Sequence, residues 1–208
     1  MLSQSPEVQR FDLSCLKIIL TAGSILSPTI RMEAMERIPS LRYIREAYSL
    51  TECGIVTLTY PREKKTSVPG GMKPIDLPDD HIMPVGLPNM YTQIKIINRQ
   101  TSDLVQGPDE HGEICIKSPQ CFQGYLDQSE GGGQIFDNDG FFHTGDLGYY
   151  DSQGVVYFIE NMASLIHFWM YEVSPSILES RLLSSNNIVD AAVIGIPDKE
   201  NGQVLYYN

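Results

Sequence analysis

The sequence has few cysteines, no paired metal-binding cysteines and no long apolar run, and each absence excludes a class of protein. Its 208 residues include four cysteines, at positions 15, 53, 115 and 121, without a Cys-x-x-Cys pair. A zinc site of the usual spacing is therefore not expected. The four cysteines are instead expected to be buried free thiols in a reducing compartment. No apolar run reaches the roughly 18 residues that a bilayer span requires, so no membrane span is expected.

Positive charge is also scarce. Lys and Arg number 15 against 26 Asp and Glu, which gives a formal net charge of −11. Nucleic-acid binding requires clustered Lys and Arg, so no nucleic-acid partner is expected. An acidic protein can still bind an anionic nucleotide through backbone amides and a metal ion. The first residues lack the basic and apolar regions of a signal peptide, which predicts an intracellular protein.

Strand and helix signals alternate at the start of the chain. Residues 16–20 form a short apolar run that leads into a turn over residues 21–24. Ser27-Pro28 then supplies a helix N-cap and first helical residue, and further strands are predicted over residues 41–46 and 55–60. This strand–helix–strand order predicts an α/β layer with a parallel component over residues 1–60.

The composition then changes twice. Proline and glycine become dense from about residue 61, and the alternating segments that follow predict strands over residues 92–98 and 112–117. These features predict a small β-barrel or folded sheet over residues 61–159. A helix capped by Ser174-Pro175 and a strand over residues 188–196 predict the start of a small α+β domain over residues 160–208. The predicted fold class is therefore mixed α/β: the C-terminal part of a large domain, residues 1–159, followed by a truncated C-terminal domain.

Three polar turns follow predicted strands. They span residues 22–24 (Ala-Gly-Ser), 48–52 (Tyr-Ser-Leu-Thr-Glu) and 143–146 (His-Thr-Gly-Asp). Ligands commonly bind at strand ends in α/β sheets. The turns offer an aromatic ring, a hydroxyl and two carboxylates, which suit a nucleotide with Mg²⁺. Ordinary turn and packing residues would give the same pattern, and His143 has either a structural role or that of a general base.

The motifs at these turns resemble the adenylate-forming superfamily of acyl- and aryl-CoA synthetases, firefly-luciferase-like proteins and peptide-synthetase adenylation domains. Segment 48–52 is similar to the Tyr-Gly-Leu-Thr-Glu motif of that family, with serine in place of glycine. Segment 142–148 is similar to its Trp/Phe-x-Thr-Gly-Asp signature. Further matches in the family order are 85–88 (Val-Gly-Leu-Pro), 112–116 (Gly-Glu-Ile-Cys-Ile) and 124–126 (Gly-Tyr-Leu).

The resemblance implies an ATP-dependent ligase that joins a carboxylic acid to AMP and then to a thiol such as coenzyme A. It implies ATP or AMP and Mg²⁺ as cofactors and a cytoplasmic or peroxisomal location, although the last residues of the chain do not form a peroxisomal address. The site residues that it implies are Tyr48 for adenine stacking, Thr51 for the α-phosphate, Asp146 for the ribose hydroxyls, Glu52 for Mg²⁺, and Ala22, Gly23 and Ser24 for the floor of the pocket.

The chain also departs from the family pattern. The family's Ser/Thr/Gly-rich phosphate loop has no counterpart here, and its catalytic lysine would lie beyond Asn208. Asn161 replaces an arginine, Ala163 stands at the hinge position, and Trp169-Met170 replaces a Lys/Ser-Gly step whose backbone geometry a bulky residue resists.

These departures predict a fragment or degenerate ligase that is not competent for the full reaction alone. The alternative is a non-catalytic nucleotide-binding or protein-interaction module. Trp169-Met170 forms either a patch covered by the small domain or an exposed docking surface. A partial sheet is also expected to associate through its exposed edges.

Overall fold

The computed structural model describes residues 5–24, 26, 28–59, 82, 84–98, 101, 103–105, 107–126, 135–183, 185, 187–199 and 201–207. Within these ranges the chain forms two β-sheets, two α-helices and two short 3₁₀ helices, Pro6–Arg10 and Met162–Ser164. None of the helices in these ranges is long and apolar enough to cross a membrane.

The first sheet begins with a parallel strand pair covered by a helix. Strand β1 (Ile18–Ala22) pairs in parallel with β2 (Tyr43–Leu50), and helix α1 (Pro28–Arg37) connects them. Buried Ala34 of α1 and Ile38 just after it lie in a small core that also includes Ile44 of β2. The strand–helix–strand unit and its parallel pair confirm the predicted α/β layer.

Six further strands extend this sheet in antiparallel fashion. They are β3 (Gly54–Leu58), β4 (Pro84–Pro88), β5 (Gln93–Ile97), β6 (Gly112–Lys117), β7 (Phe142–Tyr150) and β8 (Val156–Asn161). The strand order is β1-β2-β3-β4-β8-β7-β6-β5, so the layer over residues 1–60 and the strands over residues 61–159 share one sheet, joined where β3 pairs with β4. Among the described residues β1 and β5 end this order without pairing to each other, so the sheet is open rather than a closed barrel.

The main hydrophobic core is formed by residues from each of the strands β2 to β8. Ile96, Ile114 and Ile116 are fully buried in it. Burial of a side chain of this size contributes roughly 1.5–3 kcal/mol relative to exposure. Tyr48 belongs to the same core, so packing of the sheet fixes the position of its ring.

One predicted polar turn lies inside a strand instead, and a second lies partly in a strand and partly in the turn that follows it. The segment 143–146 belongs to β7, an interior strand that pairs with β6 on one side and β8 on the other. Tyr48 and Leu50 likewise belong to the end of β2. Because an interior strand bonds its backbone on both sides, this ladder outweighs the turn preference of Gly145. Strand β7 is nevertheless irregular here: it forms a bulge in which Gly145 adopts a φ of 72°.

A four-stranded second sheet follows β8. Its strands are β9 (Ile166–Phe168), β10 (Tyr171–Val173), β11 (Val193–Asp198) and β12 (Gly202–Tyr207), in the order β10-β9-β12-β11, and helix α2 (Pro175–Leu183) precedes β11. The helix after Ser174 begins as predicted, whereas the strand predicted over residues 188–196 begins only at Val193. The two sheets with their helices confirm the mixed α/β fold class.

The sequence did not predict the hairpin formed by β9 and β10. Trp169 lies in its turn with a φ of 55°, a left-handed conformation that costs a non-glycine residue roughly 1–2 kcal/mol. Both the backbone N–H and the ring N–H of Trp169 donate to Asn201. These two bonds hold a bulky residue where the family pattern has a Lys/Ser-Gly step.

Candidate functional site

Residues from three predicted segments converge on one cavity of about 190 Å³. Gly23 and Ser24 follow β1, Tyr48 lies near the end of β2, and Asp146 lies within β7. The sheet therefore brings together four of the seven predicted site residues. The cavity lining comprises Gly23, Ser24, Glu46, Ala47, Tyr48, Ser49, Leu50, Val85, Asp146 and Phe158.

Asp146 is held through both of its carboxylate oxygens. The Tyr48 hydroxyl donates to Oδ2 at 2.5 Å, and Asn161 Nδ2 donates to Oδ1 at 2.8 Å. The Asp146 backbone N–H donates to Thr144 Oγ1 at 3.0 Å. Burial raises the pKa of the Asp146 carboxyl, and the bonds from Tyr48 and Asn161 oppose that change. The carboxylate is thus fixed in position at the wall of the cavity.

Tyr48 presents its ring beside this carboxylate. It is 8% exposed, and its ring centroid lies 6.1 Å from that of Phe158. Burial, followed by the negative charge of Asp146, raises the pKa of Tyr48 well above its usual range. The phenol therefore stays protonated and donates to Asp146, while its apolar ring is suited to contact a planar base.

Glu113 on β6 holds the bulge in β7, a role that the sequence did not predict. Its Oε1 accepts a hydrogen bond from Gly145 N at 3.0 Å, and its Oε2 lies 3.0 Å from His143 Nδ1. Cys115 Sγ lies 3.8 Å from the same nitrogen, and burial raises the pKa of this thiol to about 12. These contacts favour the structural role of His143. The Gly-Glu-Ile-Cys-Ile match had located Glu113 but gave it no function.

Three predicted residues do not line the cavity. Ala22 ends β1 and is exposed, and Thr51 is exposed in the turn after β2. The Glu52 Oε1 atom accepts a hydrogen bond from the Tyr125 hydroxyl at 2.6 Å. The roles of these three residues stay predictions.

The residues present fit an adenosine nucleotide with Mg²⁺. At Gly23, no described heavy atom lies within 4 Å of the place where a Cβ would stand, so a ligand can approach this backbone. A carboxylate fixed like that of Asp146 suits a pair of vicinal hydroxyls. Glu52 supplies a carboxylate two residues after Leu50 of the cavity lining. Mg²⁺ is commonly held by one or two carboxylates together with phosphate and water oxygens.

A family model described as AMP-binding enzyme matches residues 1–126 of this chain. The chain is 33% identical to 4-coumarate–CoA ligase-like 9 of Oryza sativa over 97% of its residues, and 32% identical to the luciferin 4-monooxygenase of Nipponoluciola cruciata over 98%. It spans 34% of the length of each of these relatives.

Two solved structures with a similar fold are ligand complexes of larger proteins. ATP-bound MatB from Rhodopseudomonas palustris is similar with a TM-score of 0.76 and 24% identity, over 99% of this chain and 37% of that one. The o-succinylbenzoate CoA synthetase from Bacillus subtilis, in complex with its acyl-adenylate intermediate, is similar with a TM-score of 0.69 and 27% identity, over 91% of this chain and 35% of that one.

Proposed function

We propose, on the premise that this chain belongs to the AMP-binding enzyme family of carboxylate-activating ligases, that its cavity between β2 and β7 binds the adenosine part of ATP or of an acyl-adenylate. The single observation that carries this proposal is the position of Tyr48 and Asp146. They lie far apart in the sequence, line one cavity and are hydrogen-bonded to each other.

Asp146 would bind the ribose hydroxyls. An ionised carboxylate offers about four lone-pair directions, and Tyr48 and Asn161 each use one. The ribose can therefore add two hydrogen bonds without displacing either partner. Bonds to a charged acceptor contribute roughly 1.5–3 kcal/mol.

The base and the phosphates would lie on either side of the ribose. The Tyr48 ring would contact adenine, with Gly23 and Ser24 forming the floor beneath it, next to Ala22. Thr51 would bind the α-phosphate, and Glu52 would hold Mg²⁺ through the carboxylate oxygen that Tyr125 does not use. Bound Mg²⁺ supplies positive charge that offsets the phosphate oxygens.

In a complete ligase a carboxylate attacks the α-phosphorus, pyrophosphate leaves, and a thiol such as coenzyme A then takes the acyl group. Charge stabilisation at the phosphorus is a large part of such catalysis. Here Asn161 is neutral where the family pattern has an arginine, and Ala163 stands at the hinge position. We therefore expect nucleotide binding without appreciable turnover by this chain alone.

Isothermal titration with AMP, and with ATP plus Mg²⁺, tests the binding. Asp146→Ala should weaken AMP binding about 10- to 100-fold, which corresponds to the loss of a charge-assisted contact. Asp139→Ala is the matched control because its carboxylate is 79% exposed, and it should bind AMP as the unmodified chain does. Equal binding by both variants, or no binding by the unmodified chain, would contradict the proposal. Pyrophosphate release with fatty or cinnamic acids would contradict the expected lack of turnover.

A non-catalytic interaction module is the second candidate. Trp169 is 69% and Met170 88% exposed at the β9–β10 turn, and exposed apolar residues of this size are enriched where proteins bind one another. A chain that fails to bind AMP but stays folded and monomeric would favour this candidate.

A further inference from the structure

Cys53 and Cys121 lie 68 positions apart in the sequence, yet their Sγ atoms are 2.8 Å apart. Cys53 lies in the turn after β2 and is 1% exposed. Cys121 lies in the segment that follows β6 and is partly exposed. The sequence predicted dispersed free thiols. The contact between Cys53 and Cys121 arises only because the fold brings their two segments together.

Two hydrogen bonds beside the sulfur atoms hold the same two segments together. Phe122 N donates to the Glu52 carbonyl oxygen at 2.7 Å, and the Tyr125 hydroxyl donates to Glu52 Oε1 at 2.6 Å. The neighbours of both cysteines are therefore fixed. A disulfide bond is about 2.05 Å long, so bond formation requires the two sulfur atoms to approach by less than roughly 1 Å.

We propose that Cys53 and Cys121 are a redox-modification site, at which a low-molecular-weight disulfide such as oxidised glutathione converts the two thiols into a reversible intramolecular disulfide. The bond would tie the turn over residues 51–53 to the segment over residues 118–125.

The exchange proceeds in two balanced steps. The more exposed Cys121 loses its proton, attacks one sulfur of the small disulfide and releases one small thiolate. The Cys53 thiol then loses its proton and attacks the Cys121 sulfur, which releases the second small thiolate and forms the new bond. The protein loses two electrons to the small disulfide, and the two small thiolates take up the two protons.

Cys53 is 1% exposed, whereas Cys121 is partly exposed. A thiol that a small disulfide cannot reach is a slow first nucleophile. Cys121 is therefore the residue that meets the oxidant, and Cys53 is the resolving residue.

Thiol titration and peptide mapping after equilibration with oxidised glutathione test the proposal. The unmodified chain has four cysteines, and it should keep two titratable thiols, lose about 2 Da for the two hydrogens (the two-electron step of thiol–disulfide exchange) and yield a linked peptide pair that contains Cys53 and Cys121. Cys121→Ser should give no link. The control Cys15→Ser, which alters an exposed cysteine elsewhere, should still give it.

Four remaining thiols, glutathione adducts without the link, or a link between two chains would each overturn the proposal. Mapping of the unmodified chain decides this point even if a serine variant does not fold. A correct link in a chain that binds no nucleotide would overturn the proposed function and leave the modification site supported.

Discussion

The Asp146 carboxylate is 5% exposed and accepts hydrogen bonds from Tyr48 and Asn161. Burial raises its pKa above the ordinary value of 3.8, so the folded protein holds this proton more tightly than the unfolded chain does. The stabilisation that this proton provides is therefore full below about 3.8 and is lost as the pH rises through the higher pKa of the folded state. At neutral pH the ionised group destabilises the fold while it provides the charge that a ribose would bind.

Asp146→Asn should therefore stabilise the protein and weaken nucleotide binding. The amide oxygen can accept from Asn161, and the amide N–H can donate to the Tyr48 oxygen, so both partners stay satisfied. The expected rise in Tm at pH 7.5 is about 2–4 °C, the shift produced by roughly 1 kcal/mol in a chain of this size. Thermal unfolding followed by circular dichroism measures it.

The pH dependence provides the control for that prediction. The advantage of the variant should shrink as the pH is lowered toward the ordinary pKa of an aspartate, because the unmodified carboxyl then becomes protonated in the folded state. A Tm difference that stays constant from pH 8 down to the ordinary pKa of 3.8 would contradict the assigned cause.

Asn161 is the second residue whose effect can be isolated. Its side chain lies 2.8 Å from Asp146 Oδ1, at the position where the family pattern has an arginine. Asn161→Arg would place a permanent positive charge beside this carboxylate and near the proposed phosphate. The affinity for AMP should rise about 10-fold, with little change for adenosine, because only AMP carries a phosphate for the guanidinium to bind.

Titration with both ligands measures this difference. Asn161→Gln, which lengthens the side chain without adding charge, is the matched control and should not raise the affinity for AMP. An equal gain for adenosine and AMP would contradict the electrostatic explanation.

Among the elements, the bulged strand β7 determines where Asp146 points. Gly145 immediately precedes it with a φ of 72°, and its N–H donates to Glu113 Oε1. No described heavy atom lies within 4 Å of the place where a Cβ on Gly145 would stand. The requirement for glycine at this position is thus conformational rather than steric.

Gly145→Ala should lower the free energy of unfolding by about 1 kcal/mol, because alanine disfavours a positive φ. It should also weaken AMP binding, since relief of the strain rotates the backbone that carries Asp146. Gly154→Ala is a matched control in the β7–β8 turn, with a φ of 76°. Gly154→Ala should lower the free energy of unfolding, measured with urea, by a similar amount without changing the affinity for AMP. Equal effects of both variants on AMP binding would contradict the role of the bulge.

The elements that the sequence predicted well are those whose local signals agree with their tertiary surroundings. Strand β6 has the predicted bounds, Gly112–Lys117, because its alternation and flanking turns agree. Helix α1 begins at Pro28, as its N-cap pattern predicted. The segment 143–146 was placed in a turn because glycine and aspartate favour turns locally, whereas pairing with two neighbouring strands decides its structure.

The candidate site likewise has features that the sequence predicted and features that only the folded sheet determines. Motif order located Tyr48 and Asp146, and the fold joins them, but the sequence could not indicate that Tyr48 donates to Asp146 or that Glu113 holds Gly145. Both contacts cross between strands, and their geometry depends on the register of a bulged sheet. The contact of Cys53 with Cys121 escaped prediction for a similar reason, because it depends on where the segment after β6 lies.

In the whole molecule, the eight-stranded sheet ends at β1. Ile18 is 45% and Leu20 is 53% exposed on this strand, on the opposite face from Ile19, which packs against the core under α1. Exposed apolar side chains on an end strand favour association between chains. The formal net charge of −11 opposes association through long-range repulsion, and salt screens that repulsion.

Self-association through β1 is therefore expected to increase with salt and to depend on Leu20. Light scattering after size exclusion should give a mass above the 23.3 kDa of one chain at high protein and salt concentration, and Leu20→Lys should restore the mass of one chain. Val189→Lys is the matched control, because Val189 is 99% exposed outside this sheet and both variants change the formal charge from −11 to −10. A less negative net charge alone weakens the repulsion between chains and so favours association. Dissociation caused by Leu20→Lys must therefore come from the altered strand. Dissociation caused by both variants would place the contact elsewhere.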